Sequence, residues 1–284
     1  MQHPFDIAAD LDTPVSAYLK LAPLQPRFLL ESVEGGERLG RYSFIGFGAA
    51  LDVRIEGGEI RVGDEAQPMP EDTQGLLDAL RGALSSVQRV EPEVADLPFA
   101  GGLVGVTGFE MAGRFENLRV PAEGDGRLEA HYLAPESLLA FDHVSRRVAL
   151  LHAGPESERI ALRCEVVRLL RGPLPARAEA GGHSPPTPSL SRPDFLSGVE
   201  RTQAHISAGD VYQLVLSIRF QGRCDIHPFE AYRALRLLNP SPYMYYLDLD
   251  GVSVVGSSPE ALVRLDGREA QLRPIAGTRP RGAD

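Results

Sequence analysis

The chain has 284 residues, 43% of them hydrophobic and 24% charged, the balance of an ordinary globular protein that suggests about two domains at roughly 150 residues each. A net charge of -10 excludes a typical nucleic-acid binder, because phosphate backbones are held by clustered positive charge. Lys20 is the sole lysine, which leaves almost no candidate for a Schiff base or a P-loop lysine. The opening MQHPFDIAAD has no basic region or apolar run of a signal peptide, and no apolar stretch approaches the ~18–20 residues of a membrane span. Cys164 and Cys224 are far apart and form no CxxC pair, so a reducing cytoplasm is the expected location.

In chain order, the first half reads as strand-rich. Phe28-Leu29-Leu30 is a short apolar run, and residues 42–47 and 51–55 are β-type segments. Gly57-Gly58 marks a hairpin turn before residues 60–62. Leu76, Leu77, Leu80, Leu84 and Val87 follow helical spacing. Residues 101–106 read as a buried, glycine-interrupted strand, 137–141 and 147–151 as paired strands, and 160–170 as a helix.

Composition shifts at residues 171–193, where glycine and proline recur too often for a helix or a central strand. This is a linker, or a long surface loop. Ser191 and Asp194 then have capping-box spacing around Pro193, and Gly209 suits a helix C-cap. Residues 211–220 read as a strand. Tyr212, Leu214, Leu216, Ile218 and Phe220 face one way, while Val211, Gln213, Val215, Ser217 and Arg219 make a mixed face that meets solvent or a wet site. Phe229, Tyr232, Leu235 and Leu238 predict a helix that stops at Asn239-Pro240. Asp250-Gly251 and Asp266-Gly267 each predict a hairpin between flanking strands. Antiparallel strands with interspersed helices predict an α+β fold, antiparallel sheets flanked by helices.

General motifs yield little. The seven histidines show no HExxH or Cys/His metal spacing, and there is no GxSxG element. Gly101-Gly102-Leu103-Val104-Gly105 lacks a following GK[ST], so close backbone packing explains it better than a phosphate cradle.

Four segments carry a closer likeness. They are Leu29-Leu30-Glu31-Ser32 with Arg41-Tyr42-Ser43-Phe44-Ile45-Gly46 downstream; the run AGDVYQLVLS from Ala208 to Ser217; Asn239-Pro240-Ser241-Pro242-Tyr243-Met244; and Gly256-Ser257-Ser258-Pro259-Glu260 leading to the run RPIAGTRPRG from Arg273 to Gly282. Together, in order and across the whole chain, they resemble the component I (large subunit) family of anthranilate synthase, a lyase family of chorismate-utilising enzymes. The resemblance implies an N-terminal domain over 1–170, the linker over 171–193 and a chorismate-binding α/β sandwich domain over 194–284, incomplete at Asp284.

The implied reaction is the first step of tryptophan biosynthesis. Chorismate and ammonia give anthranilate and pyruvate, with Mg²⁺ as cofactor and a glutamine amidotransferase subunit (component II) supplying the ammonia. The resemblance assigns chorismate contacts to Gly277 and Thr278, with Thr278 and Gln213 in the catalytic set. Arg273, Arg279 and Arg281 lie alongside, as salt-bridging or surface charges. Isochorismate and salicylate synthases carry a lysine base at the position of Gln213, and aminodeoxychorismate synthases commonly a lysine at Ala276. Neither lysine is present here: a neutral amide at Gln213 suits ammonia as nucleophile, alanine at 276 cannot act as a covalent nucleophile, and both differences favour anthranilate synthase. The alternatives are aminodeoxychorismate synthase component I and a non-catalytic tryptophan-binding module. No carboxylate of this chain matches the Mg²⁺ ligands of the family, so those are expected outside these 284 residues and the chain alone is expected to be inactive. Feedback inhibition by tryptophan is implied between the LLES and NPSPYM segments. Pro242, Tyr243 and Met244 are expected to wall an indole slot, Glu31 to attract the ammonium and Ser32 to hydrogen-bond the ligand.

Overall fold

The computed structural model describes residues 4–33, 40–95, 97–118, 128–176 and 181–274. The chain forms two compact units, residues 1–176 with 231–284, and residues 177–230. The first unit opens with β1 (Ile7–Ala8), α1 (Pro14–Lys20), β2 (Pro26–Glu31), β3 (Tyr42–Phe47), β4 (Leu51–Glu56), β5 (Glu59–Val62) and β6 (Glu65–Pro68). It continues through α2 (Thr73–Ser86), β7 (Val104–Thr107), α3 (Ala112–Phe115), β8 (Leu128–Ala134), β9 (Ser137–Asp142), β10 (Arg147–His152) and α4 (Glu156–Leu170). The second unit carries β11 (Thr187–Pro188), α5 (Arg192–Ala208) and β12 (Phe220–Gln221). Helix α6 (Pro228–Leu238) crosses the division in sequence, and β13 (Tyr243–Asp248), β14 (Ser253–Ser258), β15 (Arg264–Asp266) and β16 (Glu269–Gln271) follow in the first unit.

The antiparallel α+β class is the one expected. A seven-stranded sheet runs β1-β10-β9-β3-β2-β13-β14, and a five-stranded sheet runs β6-β5-β4-β8-β7. Every strand pair is antiparallel. β9, Ser-Leu-Leu-Ala-Phe-Asp, is buried at all six positions, because both faces of the larger sheet are covered. One face packs Phe28, Phe44, Leu138, Ala140, Ala149, Leu151 and Leu247 against Leu133 of β8, with Val104 and Val106 of β7 beside it. Helices α1 and α4 lie against the other face, touching β2, β3 and β10. Each aliphatic side chain fully buried there, such as Leu29, Ile45 or Leu139, contributes about 1.5–3 kcal/mol. The smaller sheet is closed on its far side by Leu76 of α2 and Met111 packed on Ile55, Ile60 and Ala130.

Several elements escape the periodicity. β8 reads Leu-Glu-Ala-His-Tyr-Leu-Ala, and His131 breaks its apolar pattern although it is 1% exposed. The reason is a partner: His131 Nε2 lies 2.7 Å from Asp52 Oδ2. α1 is only seven residues long, too short for a helical period, yet Thr13 and Ser16 form a reciprocal capping box with Pro14 in the first turn. β1 and β6 also lacked a sequence signal. β13 and β14, from beyond the expected linker, add to the strands of residues 1–170, so the compact units do not follow the sequential 1–170 and 194–284 division.

In the second unit, α5 starts and stops where the caps predict: Ser191 Oγ accepts from Asp194 N at 3.3 Å, and Gly209 adopts φ 83°. One expectation is corrected there. Residues 211–219 form no strand, and only Phe220–Gln221 pairs, with Thr187–Pro188. A strand needs a ladder partner, and none pairs with 211–218 among the described residues. The apolar face is therefore not buried as a whole: Tyr212 is 97% and Phe220 60% exposed. The later part of the 171–193 stretch pairs with 219–225, Ser189 N donating to Arg219 O at 2.7 Å and Ser184 N to Arg223 O at 2.8 Å. Pro188 is tolerated in so short a ladder because an edge position requires no N–H.

Candidate functional site

The LLES and NPSPYM segments, more than 200 residues apart, become neighbours through strand pairing. The β2–β13 register sets Met244 opposite Glu31. Paired residues in an antiparallel ladder share a face, so Phe141, Ser43, Glu31, Met244 and Ser257 form one rank across five strands. Beyond the ladder, Val33 N donates to Ser241 O at 3.1 Å and joins the two segments again. Met244 is 1% exposed beside Glu31, and Pro242 and Ser32 are half-buried at the strand ends. Tyr243 pairs with Ser258 and projects from the opposite face, more exposed than its neighbour. Ser257 Oγ donates to the Asn239 carbonyl at 2.6 Å and lies 2.8 Å from Ser241 Oγ, which fixes the loop entering β13.

Glu31 is the centre of the rank. It is 5% exposed, and a buried carboxylate needs charge and hydrogen-bond compensation. Arg236 supplies a two-pronged fork, Nε to Oε2 at 2.9 Å and Nη2 to Oε1 at 3.1 Å. The Tyr232 hydroxyl also donates to Oε2. Tyr232 and Arg236 stand one turn apart on α6, so a single helix face meets the carboxylate. Burial, and then the adjacent Glu31 charge, push the Tyr232 hydroxyl far above its ordinary pKa and keep it a donor. On the other side, His143 Nε2 lies 2.8 Å from Ser43 Oγ. Burial pushes His143 below its ordinary value, against the opposing pull of Glu31 and Asp142. Both oxygens of Glu31 are thus engaged, and an incoming ammonium would share the carboxylate with Arg236. Tyr232 read only as a core position of its helix, and Arg236 carried no sequence signal of the pair.

The residues expected to meet chorismate are placed differently. Gln213 is exposed, in the irregular 211–219 stretch of the second unit. Gly277 and Thr278, with Ala276, Arg279 and Arg281, lie outside the described residues. Arg273 follows β16 and is exposed. Among the described residues no group of three or more His, Cys, Asp or Glu is placed to hold a metal ion, so the side chains in view do not fit a magnesium site. No described helix is long and apolar enough to cross a membrane.

Residues 25–284 match the model of the chorismate binding enzyme family. The anthranilate synthase component 1 of Thermus thermophilus is 42% identical over 97% of this chain and 59% of its own length. That of Neisseria meningitidis serogroup B is 37% identical over 98% of this chain and 59% of its own. The crystal structure of anthranilate synthase component I from Streptococcus pneumoniae superposes with a TM-score of 0.66 at 25% identity, covering 94% of this chain and 60% of the other. The chain thus spans about three-fifths of the length of these relatives. A match over residues 25–284, together with this alignment, establishes that the chain belongs to the chorismate binding enzyme family.

Proposed function

We propose that this chain is part of an anthranilate synthase component I. The observation that carries the reading is the 42% identity to such a protein over 97% of the chain, in a family that binds chorismate. In the proposed reaction ammonia adds to the chorismate ring as a hydroxyl leaves, and elimination of pyruvate then makes the ring aromatic. A glutamine amidotransferase subunit delivers the ammonia, in the cytoplasm. Gly277 and Thr278 serve as chorismate contacts, glycine admitting the substrate close to the backbone and threonine adding a hydroxyl donor. Gln213, a neutral amide, serves in the catalytic set without acting as a base for water. Magnesium belongs to the proposed enzyme, but no step is assigned through it, because the described side chains do not fit it. Tryptophan, the inhibitor, is proposed at the junction of Glu31 and Ser32 with Pro242, Tyr243 and Met244; the β2–β13 register supports the pairing of Glu31 with Met244, while Tyr243 projects from the opposite face.

Product identity tests the reading. A complete enzyme containing this chain, given chorismate, ammonium and Mg²⁺, is expected to yield anthranilate by mass spectrometry. 4-Amino-4-deoxychorismate as the end product would instead assign it to the aminodeoxychorismate synthases, and no chorismate consumption would refute both.

A further inference from the structure

The geometry points to Glu31 as a strut for the effector site and not as the receptor of the effector's ammonium. We infer that Arg236 and Tyr232 are its positioning residues, so that the shape of the β2–β13 junction depends on their grip. This deepens the tryptophan-site reading and rests on it. Three observations carry it. Both carboxylate oxygens of Glu31 are bound, by the fork from Arg236 at 2.9 and 3.1 Å and by the Tyr232 hydroxyl. The Glu31 side chain is 1% exposed while that of Arg236 is 27%, so the charge nearer solvent is the cation. Met244 stands directly across the ladder from Glu31 on the same face, so a shift of Glu31 displaces an indole-slot wall. A carboxylate already neutralised by a bidentate guanidinium has little field left for a second cation.

The two roles predict opposite signs. If Glu31 received the ammonium, Arg236 would compete with the ligand, and Arg236→Met would tighten tryptophan binding. As a strut, Glu31 loses its hold in Arg236→Met and binding weakens. The chain contains no tryptophan, so the ligand's own fluorescence, excited to the red of the chain's eight tyrosines, reports equilibrium dialysis of L-tryptophan. The strut predicts that Arg236→Met and Glu31→Gln each weaken binding about tenfold, and that the double variant is little worse than either single one, the signature of one coupled unit. Arg236→Lys, which keeps the charge but not the fork, falls between. Tyr232→Phe, which removes a single hydroxyl, is the milder variant if Arg236→Met fails to fold. It too is expected to weaken binding. Tighter or unchanged binding in Arg236→Lys and Tyr232→Phe overturns the strut while leaving the tryptophan site standing. Absence of saturable tryptophan binding by the wild-type chain, and of tryptophan inhibition in a complete enzyme, overturns the site itself and the inference with it.

Discussion

At the residue scale, the buried carboxylate of Glu31 is held by Tyr232 and Arg236 from a helix far along the sequence. Met244 and Ser32 border the proposed slot, so Ser32→Phe and Met244→Thr in a complete enzyme are expected to raise the tryptophan concentration for half-inhibition by about tenfold, roughly what losing good apolar contact costs. Turnover without tryptophan stays near wild type; unchanged inhibition in both variants would remove tryptophan from this junction. Asp142 makes a second prediction. Its burial raises the carboxyl pKa, but the Arg41 fork at 3.1–3.3 Å and the Val144 N–H bond at 3.0 Å outweigh that and hold it below its ordinary value. A lowered folded pKa means stability that is present above the unfolded value, ~3.9, and is lost as pH falls through the folded one. Arg41 is more than half exposed, so Asp142→Asn is expected to cost only about 1 kcal/mol at pH 7. Urea midpoints of wild type and variant should converge on acidification; a gap independent of pH would assign the effect to packing. The motif residues Glu31 and Met244 were visible in sequence through their resemblance to a family. Arg236 and Tyr232 were not, because a helix pattern gives its own face but not which distant strand meets it.

At the element scale, turns and caps were the most legible features, since their chemistry is local. Asp250 and Gly251 take φ 47° and 90°, the two positive angles of a tight hairpin, and Gly209 ends α5. Strands were legible where both faces are apolar or cleanly alternating, as in β3 and β9. β8 was not, because a buried histidine with a carboxylate partner reads as a break. Residues 211–219 failed in the opposite direction: their alternation is present, but a pattern does not provide a ladder partner. Cross-strand glycines mark another register device. The ring of Phe28 lies over Gly46, where a Cβ would stand 2.2 Å from Phe28 Cε1 and Cζ. Gly46→Ala is therefore expected to displace that ring within the core and cost about 1–3 kcal/mol, read from the denaturation midpoint. A loss under ~0.5 kcal/mol would show that the ring has room to move.

At the scale of the whole molecule, the larger sheet draws β13 and β14 into the strands that precede the second unit, so the β2–β13 junction is built by a long-range closure. The proposed tryptophan site thus lies on the larger sheet, while Gly277 and Thr278 lie outside the described residues. The family assignment rests on alignment over nearly the whole chain, and of the segments that carried it in sequence, the strand pairing joins LLES with RYSFIG, NPSPYM and GSSPE. The most direct test of the account is anthranilate fluorescence from a complete enzyme carrying this chain, given chorismate, Mg²⁺ and excess ammonium, with and without L-tryptophan. The account predicts anthranilate formation that tryptophan suppresses, and suppression that fails in Met244→Thr. Steady chorismate consumption without anthranilate would contradict the proposed reaction, and anthranilate formation indifferent to tryptophan would contradict the proposed role of the Glu31–Met244 junction.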